Sequence, residues 1–258
     1  MASTDKAEPI RLLHLSDLHQ GLVGQEWMWP SVKTQFYEDL SSLHGRTGPW
    51  DLVIFSGDLT QSGAAAEFNQ LTQLFCDLWA HFKTLGSSPQ LFVVPGNHDL
   101  VRPDKMDATG KVMSQWWTDE SLQAEFWGSS KSPYREAVAK WFANYEAWLE
   151  QLPKVIPVLP TAKGLLPGDV SATFQKGSQR LGLVGLNTAW LHHTGGDLKG
   201  KMCVHPRQLL AVTSNDADGW SSAHGLRLPV THHPVDWLHP SAWAEWASVN
   251  RPGFPRHP

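Results

Sequence analysis

Cysteine is scarce in this chain: two residues in 258, Cys76 and Cys203. That excludes a disulfide framework, and neither has the close Cys partner of a zinc ribbon or a redox pair. Long apolar runs are missing as well. No stretch approaches the length of a membrane span, and residues 1–9 lack the apolar segment of a signal peptide. These features predict a soluble, cytoplasmic protein with no membrane partner. There is no basic excess either. A net charge of −4 argues against a surface that neutralises a nucleic-acid backbone, so nucleic acid enters only as a possible substrate. A phosphate-bearing substrate stays compatible, because bound metal would supply local positive charge. Composition leaves the oligomeric state open.

What is present is ordinary globular material: 41% hydrophobic and 18% charged residues, enough for one large domain over 1–258. Fourteen tryptophans predict a core rich in aromatic packing, with a minority left to line a pocket. Residues 91–94 are apolar and β-branched, then stop at Pro95 and Gly96, and so predict a buried strand ending in a turn. Residues 10–15 and 52–55 predict two more strands. Residues 29–43 predict a helix with Pro30 in its first turn and Gly45 at its end. A second helix, over 64–85, carries an apolar stripe that includes Phe68, Leu71, Phe75 and Phe82 and stops at Gly86.

Strand alternating with helix implies parallel pairing, and ligands bind beyond the carboxyl ends of such strands. Each of the three strand exits carries chemistry: Asp17 and His19, then Asp58, then Asn97, His98 and Asp99. Two residues apart in extended backbone, Asp17 and His19 point the same way and suit one metal ion. The alternative is a helix-capping Asp beside a solvent-facing His.

Beyond the turn at 96–99 the periodicity weakens. Residues 101–152 predict a helical, Trp-rich insertion, its first part a lid or substrate wall, or else a segment whose aromatics pack on the body. Residues 133–152 predict one amphipathic helix capped at Ser132. An extended connector follows over 153–168. A hairpin over 170–186 opens a second sheet, leading to Asn187, His192 and His193, which belong to a polar loop or else touch substrate. A helix starts at Pro206, and a strand over 226–231, with Pro229 awkward in a central strand, leads into His232, His233 and Pro234. The tail over 249–258 is irregular.

The blocks DLH at 17–19, GD at 57–58, GNHD at 96–99 and HHP at 232–234 resemble those of the calcineurin-like metallophosphoesterases, in the phosphodiesterase-like branch. The resemblance implies an α/β fold of two packed mixed sheets flanked by helices, a four-layer α/β/β/α sandwich. It also implies a dinuclear centre that hydrolyses a phosphodiester or phosphomonoester with a hydroxide bridging the ions. Asp17 and His19 would hold one ion, Asp58 would bridge, and Asn97 with His232 would hold the second. Oxygen and imidazole donors suit Mn, Fe, Ni, Co or Zn. His98 would protonate the leaving oxygen, oriented by Asp99, while Arg102 and His233 would meet the phosphate-ester substrate, His233 alternatively standing behind His232. The family's final Gly-His-x-His block has no counterpart, so the fold is expected to be C-terminally incomplete. That keeps a second reading, a phosphoesterase-like fragment with a binding or regulatory role.

Overall fold

A computed structural model describes residues 8–248; the expected irregular tail at 249–258 lies outside the described residues. The chain opens with β1 (Leu12–Leu15), α1 (Gln25–Thr47), β2 (Leu52–Ser56), α2 (Ala65–Thr84) and β3 (Gln90–Val94). The strands pair in the order β1-β2-β3, all parallel. Both faces of this sheet are buried, which explains its unbroken apolar runs. Leu52, Ile54, Phe92 and Val94 pack against the second sheet. Val53, Phe55 and Val93 point to the helices, where the Phe55 and Phe75 rings stack at 4.8 Å.

Helix α1 differs from its expected bounds. It begins at Gln25, after Gly24 at φ 89°, and ends at Gly48 at φ 80°. The Gln25 side chain accepts from the Gly21 N–H and donates to the Leu18 carbonyl, which secures the earlier start. Pro30 therefore stands inside the helix, on an exposed face.

Four short helices follow: α3 (Ala108–Met113), α4 (Glu120–Gly128), α5 (Pro133–Trp141) and α6 (Ala143–Gln151). The single helix expected over 133–152 is thus two. At Phe142 (φ −96°, ψ 10°) the helix is interrupted, and the Trp141 carbonyl accepts from the Val101 N–H at 2.8 Å. Ser132 sits at the N-cap position, but its side chain makes no capping bond. Trp116 and Phe126 are buried and pack on Trp190 at 4.7 Å each. The aromatics of this segment serve the core.

The connector pairs with the edge of β3, the Leu91 N–H donating to Pro157 and the Leu159 N–H to Leu91. Then come β4 (Ala162–Lys163), β5 (Val170–Lys176), β6 (Gln179–Gly185), α7 (Pro206–Val212), α8 (Ala217–Ser222), β7 (Leu226–Val230) and α9 (Pro240–Ser248). The second sheet is mixed, in the order β4-β5-β6-β7, with β5 and β6 the expected hairpin and β7 parallel to β6. Pro229 fits because, among the described residues, β7 is an edge. Residues Val170, Ala172, Leu181, Leu183 and Val230 meet the first sheet's inner face. Val184, Leu209 and Val212 belong to the other core, and Trp220 of α8 lies against Gly182. The result is α/β/β/α. The loop after β6 is not a surface loop: Asn187, His192 and His193 are all buried.

Candidate metal centre

Parallel pairing continues past the ends of β1 and β2. The Asp17 N–H donates to Gly57 (3.1 Å), His19 to Asp58 (2.9 Å) and Gln20 to Leu59 (2.9 Å). These bonds hold the two loops side by side in a conformation that side chains resist. Asp17 (φ 58°), His19 (φ 47°) and Asp58 (φ 52°) are three of the five non-glycine residues with positive φ among the described residues. The extended geometry expected at residues 17–19 is therefore replaced by left-handed turns. Such positions cost roughly 1–2 kcal/mol each and concentrate at functional sites.

Two glycines let the loops converge. A Cβ on Gly57 (φ 96°) would meet both Gly96 and His232 Nδ1 at 2.7 Å. A Cβ on Gly96 would strike the Asp58 carboxylate and backbone.

Asp58 is the centre of the arrangement. Its Oδ2 lies 3.7 Å from His19 Nε2, which is 3.9 Å from Asp17 Oδ1. Its Oδ1 accepts from the His98 N–H at 2.9 Å and lies 3.4 Å from His232 Nε2. Desolvation pushes the Asp58 pKa up, but hydrogen bonding to His232 and its charge, with the His98 N–H, outweigh this and hold it at about 2. Burial alone would lower His232; hydrogen bonding to Asp58 and the charge of that carboxylate raise it instead.

His232 Nδ1 is 2.8 Å from the Ser56 carbonyl, an acceptor, so it carries the proton. In the neutral ring the Nε2 lone pair then faces Asn97 Oδ1 at 3.2 Å and Asp58 Oδ1. Acceptors facing one another need a proton or a cation between them. His19 Nδ1 is buried with no hydrogen-bond partner. Two groups of donor atoms lie mutually within 4.8 Å, His19–Asp58–His98 and Asp17–Asp58–His232, and Asp58 is common to both. Carboxylate, imidazole and amide oxygen without thiolate suit a divalent transition metal. The site residues fit such an ion.

Three expected positions differ in detail. His98 Nδ1 donates to the Gln61 carbonyl at 2.7 Å; that carbonyl, rather than Asp99, orients the ring, and the His98 ring stands edge-on to His19 at 4.7 Å. Fully buried Asp99 accepts from the Thr60 N–H (2.8 Å), the Thr60 hydroxyl (3.0 Å) and the Gly96 N–H (2.8 Å), tying the two loops together. Burial pushes it up to about 6. His233 does not face an open site: it is 3% exposed, with Nδ1 at 3.0 Å from the Thr188 hydroxyl and Nε2 at 3.4 Å from His192 Nδ1. Burial, then the charge of His232, lowers it to about 3; burial, then Arg102, lowers His192 to about 4. Both stay neutral. Arg102 is exposed and donates from Nη2 to the Asn97 carbonyl at 3.3 Å.

The positioning groups at Ser56 and Gln61 are backbone carbonyls, which no residue pattern announces. Thr188 is a side chain, but only the fold sets it beside His233. A cavity of about 400 Å³ adjoins Asn97, His98 and Arg102. A larger one, about 860 Å³, runs between α6 and residues 158–170 and contains none of the candidate site residues.

No helix among the described residues is long and apolar enough to cross a membrane. Comparison with curated proteins returns no match. The model of the calcineurin-like phosphoesterases matches residues 10–249. With that match across nearly the whole chain, over a two-sheet α/β sandwich whose strand ends gather Asp58 and its neighbours, this protein belongs to the calcineurin-like phosphoesterase family.

Proposed function

We propose that this chain hydrolyses a phosphodiester or phosphomonoester at a centre of two divalent transition metal ions. The observation that carries the proposal is the sharing of Asp58 by both donor groups, as a bridging ligand requires. The two groups pair His19 with His98 and Asp17 with His232; Asp17 and His19 are assigned to one ion on the 3.9 Å between them and Asn97 and His232 to the other on their 3.2 Å contact, with Asp58 common to both. When bound, such ions supply positive charge to the phosphoryl oxygens and acidify water to a nucleophile at neutral pH.

The protein's own residues do the rest. Ser56 fixes the His232 tautomer so that Nε2 is the ligating atom. Gln61 fixes the His98 ring so that Nε2 is its free nitrogen, and the imidazolium form donates that proton to the departing oxygen. Asp99 keeps the β2 and β3 loops in register. Arg102 meets the anionic substrate. The helical segment 101–152 is read as an insertion that borders the site through its first residues, and the two-cysteine composition favours a cytoplasmic setting.

Metal analysis of purified protein and manganese-dependent hydrolysis of bis(4-nitrophenyl) phosphate test the proposal. The expected result is close to two ions per chain, with turnover lost in Asp58→Ala. Absence of both metal and turnover would assign the chain a binding role instead.

A further inference from the structure

The cavity of about 400 Å³ beside the metal centre is lined by His98 and Asn97, and beyond them by Arg102, Gln61, Ser62 and Leu100. His98 belongs both to this cavity and to the donor group with His19 and Asp58. The leaving oxygen must reach the group that protonates it. Given the phosphoesterase reading above, on which this inference rests, the departing half of the substrate occupies this cavity.

Its walls state what that half carries. Arg102 is the one formally charged side chain among the lining residues, and none of them is a carboxylate. Glu67, which adjoins the Ser62 wall, is fully engaged: its carboxylate accepts from the Ser62 N–H (2.9 Å), the Ser62 hydroxyl (2.8 Å) and the Ala64 N–H (3.1 Å). The Arg102 guanidinium spends one donor on the Asn97 carbonyl and is otherwise exposed, with donors to spare. Val101, 43% exposed, contributes an apolar wall. We infer that the substrate is a phosphate ester whose departing half carries a second anionic group, a phosphate or a carboxylate, bound by Arg102. In the reaction the ester P–O bond breaks, water delivers hydroxide to phosphorus and its other proton to solvent, the departing oxygen leaves as an alcohol with the proton from His98, and His98 is reprotonated from solvent.

Two measurements test this. The first is kcat/KM, with manganese, for phenyl phosphodiesters whose departing phenol bears a para-carboxylate, a para-phosphate or a neutral para-carboxamide. The parent is expected to favour the anionic esters at least tenfold, with the preferred anion separating carboxylate from phosphate. Arg102→Ala should reduce the anionic-to-neutral ratio about tenfold or more, and Arg102→Lys should restore part of it. The second is binding of 4-hydroxybenzoate and 4-hydroxyphenyl phosphate to metal-free protein, followed by NMR titration. Binding should be lost in Arg102→Ala. If the parent does not discriminate, or Arg102→Ala lowers all three esters equally, the inference fails while the phosphoesterase reading stands. If the parent hydrolyses none of them, that reading fails and this one with it.

Discussion

Replacing Asp58 by Asn removes the one charge that both donor groups share while changing little else. Asn tolerates the left-handed backbone at φ 52°, and its amide oxygen can still accept from the His98 N–H. In the metal-free protein the Asp58 carboxyl titrates at about 2, against an ordinary value of 3.8. At 1.36 kcal/mol per unit, that depression corresponds to about 2 kcal/mol of stability. The side chain is only 6% exposed, so solvent screening takes little of it. Because the folded value lies below the unfolded one, the contribution is fully present above about pH 4 and lost as pH falls through about 2. Metal-free Asp58→Asn should therefore melt roughly 4–8 °C below the parent at pH 7 for a chain of this size. The gap should narrow as pH is lowered from 4 toward 2. Metal widens the gap. Manganese at about a hundred times its dissociation constant should stabilise the parent by roughly 2.7 kcal/mol, and Asp58→Asn should show little of that shift. Calorimetric scans of chelator-treated and manganese-loaded protein read both effects. A variant as stable as the parent without metal, or one keeping the full manganese shift, would refute the assignment of Asp58 as the shared anchor.

Further outcomes follow from the same geometry. His98→Ala should lower turnover at least a hundredfold and leave bound metal near the parental content; equal loss of both, by kinetics and metal analysis, would make His98 a ligand, as its grouping with His19 and Asp58 also permits. Gly96→Ala should abolish metal binding in a folded protein, checked by calorimetry and circular dichroism, because its Cβ drives into Asp58. Buried Asp169 accepts from the Leu166 and Asn187 N–H groups and from Gln208, yet burial raises its pKa to about 7. The folded state thus holds this proton more tightly than the unfolded chain, and stability falls as pH rises from about 4 through 7. Asp169→Asn should flatten that part of the melting-temperature profile, and an unchanged slope would locate the proton elsewhere. Phe55→Ala, at a fully buried ring stacked on Phe75, should cost about 3–5 kcal/mol in denaturant unfolding.

Much of this protein is legible without coordinates because the signals are local. The runs at 52–55 and 91–94 mark strands by their β-branched and aromatic content, and the Gly and Pro residues that end them place Asp58 and Asn97 at strand exits. The hairpin over 170–186 is readable from alternation and its turn. Four spaced blocks of acid, amide and imidazole are enough to point to the family. What tertiary structure decided is of another kind. Phe142 breaks a continuous helical pattern because the Val101 N–H takes the Trp141 carbonyl, a bond between residues 40 apart. Asp17, His19 and Asp58 take left-handed backbone because the loops pair with one another. His98 is oriented by the carbonyl of Gln61 and His232 by that of Ser56; every residue has a carbonyl, so side-chain identity cannot show which will serve. His232 and His233 are adjacent and chemically identical. One reaches Asp58 and the other is enclosed by Thr188 and His192, because neighbouring side chains after a strand end point in different directions, and only the packed sheets determine what each direction meets.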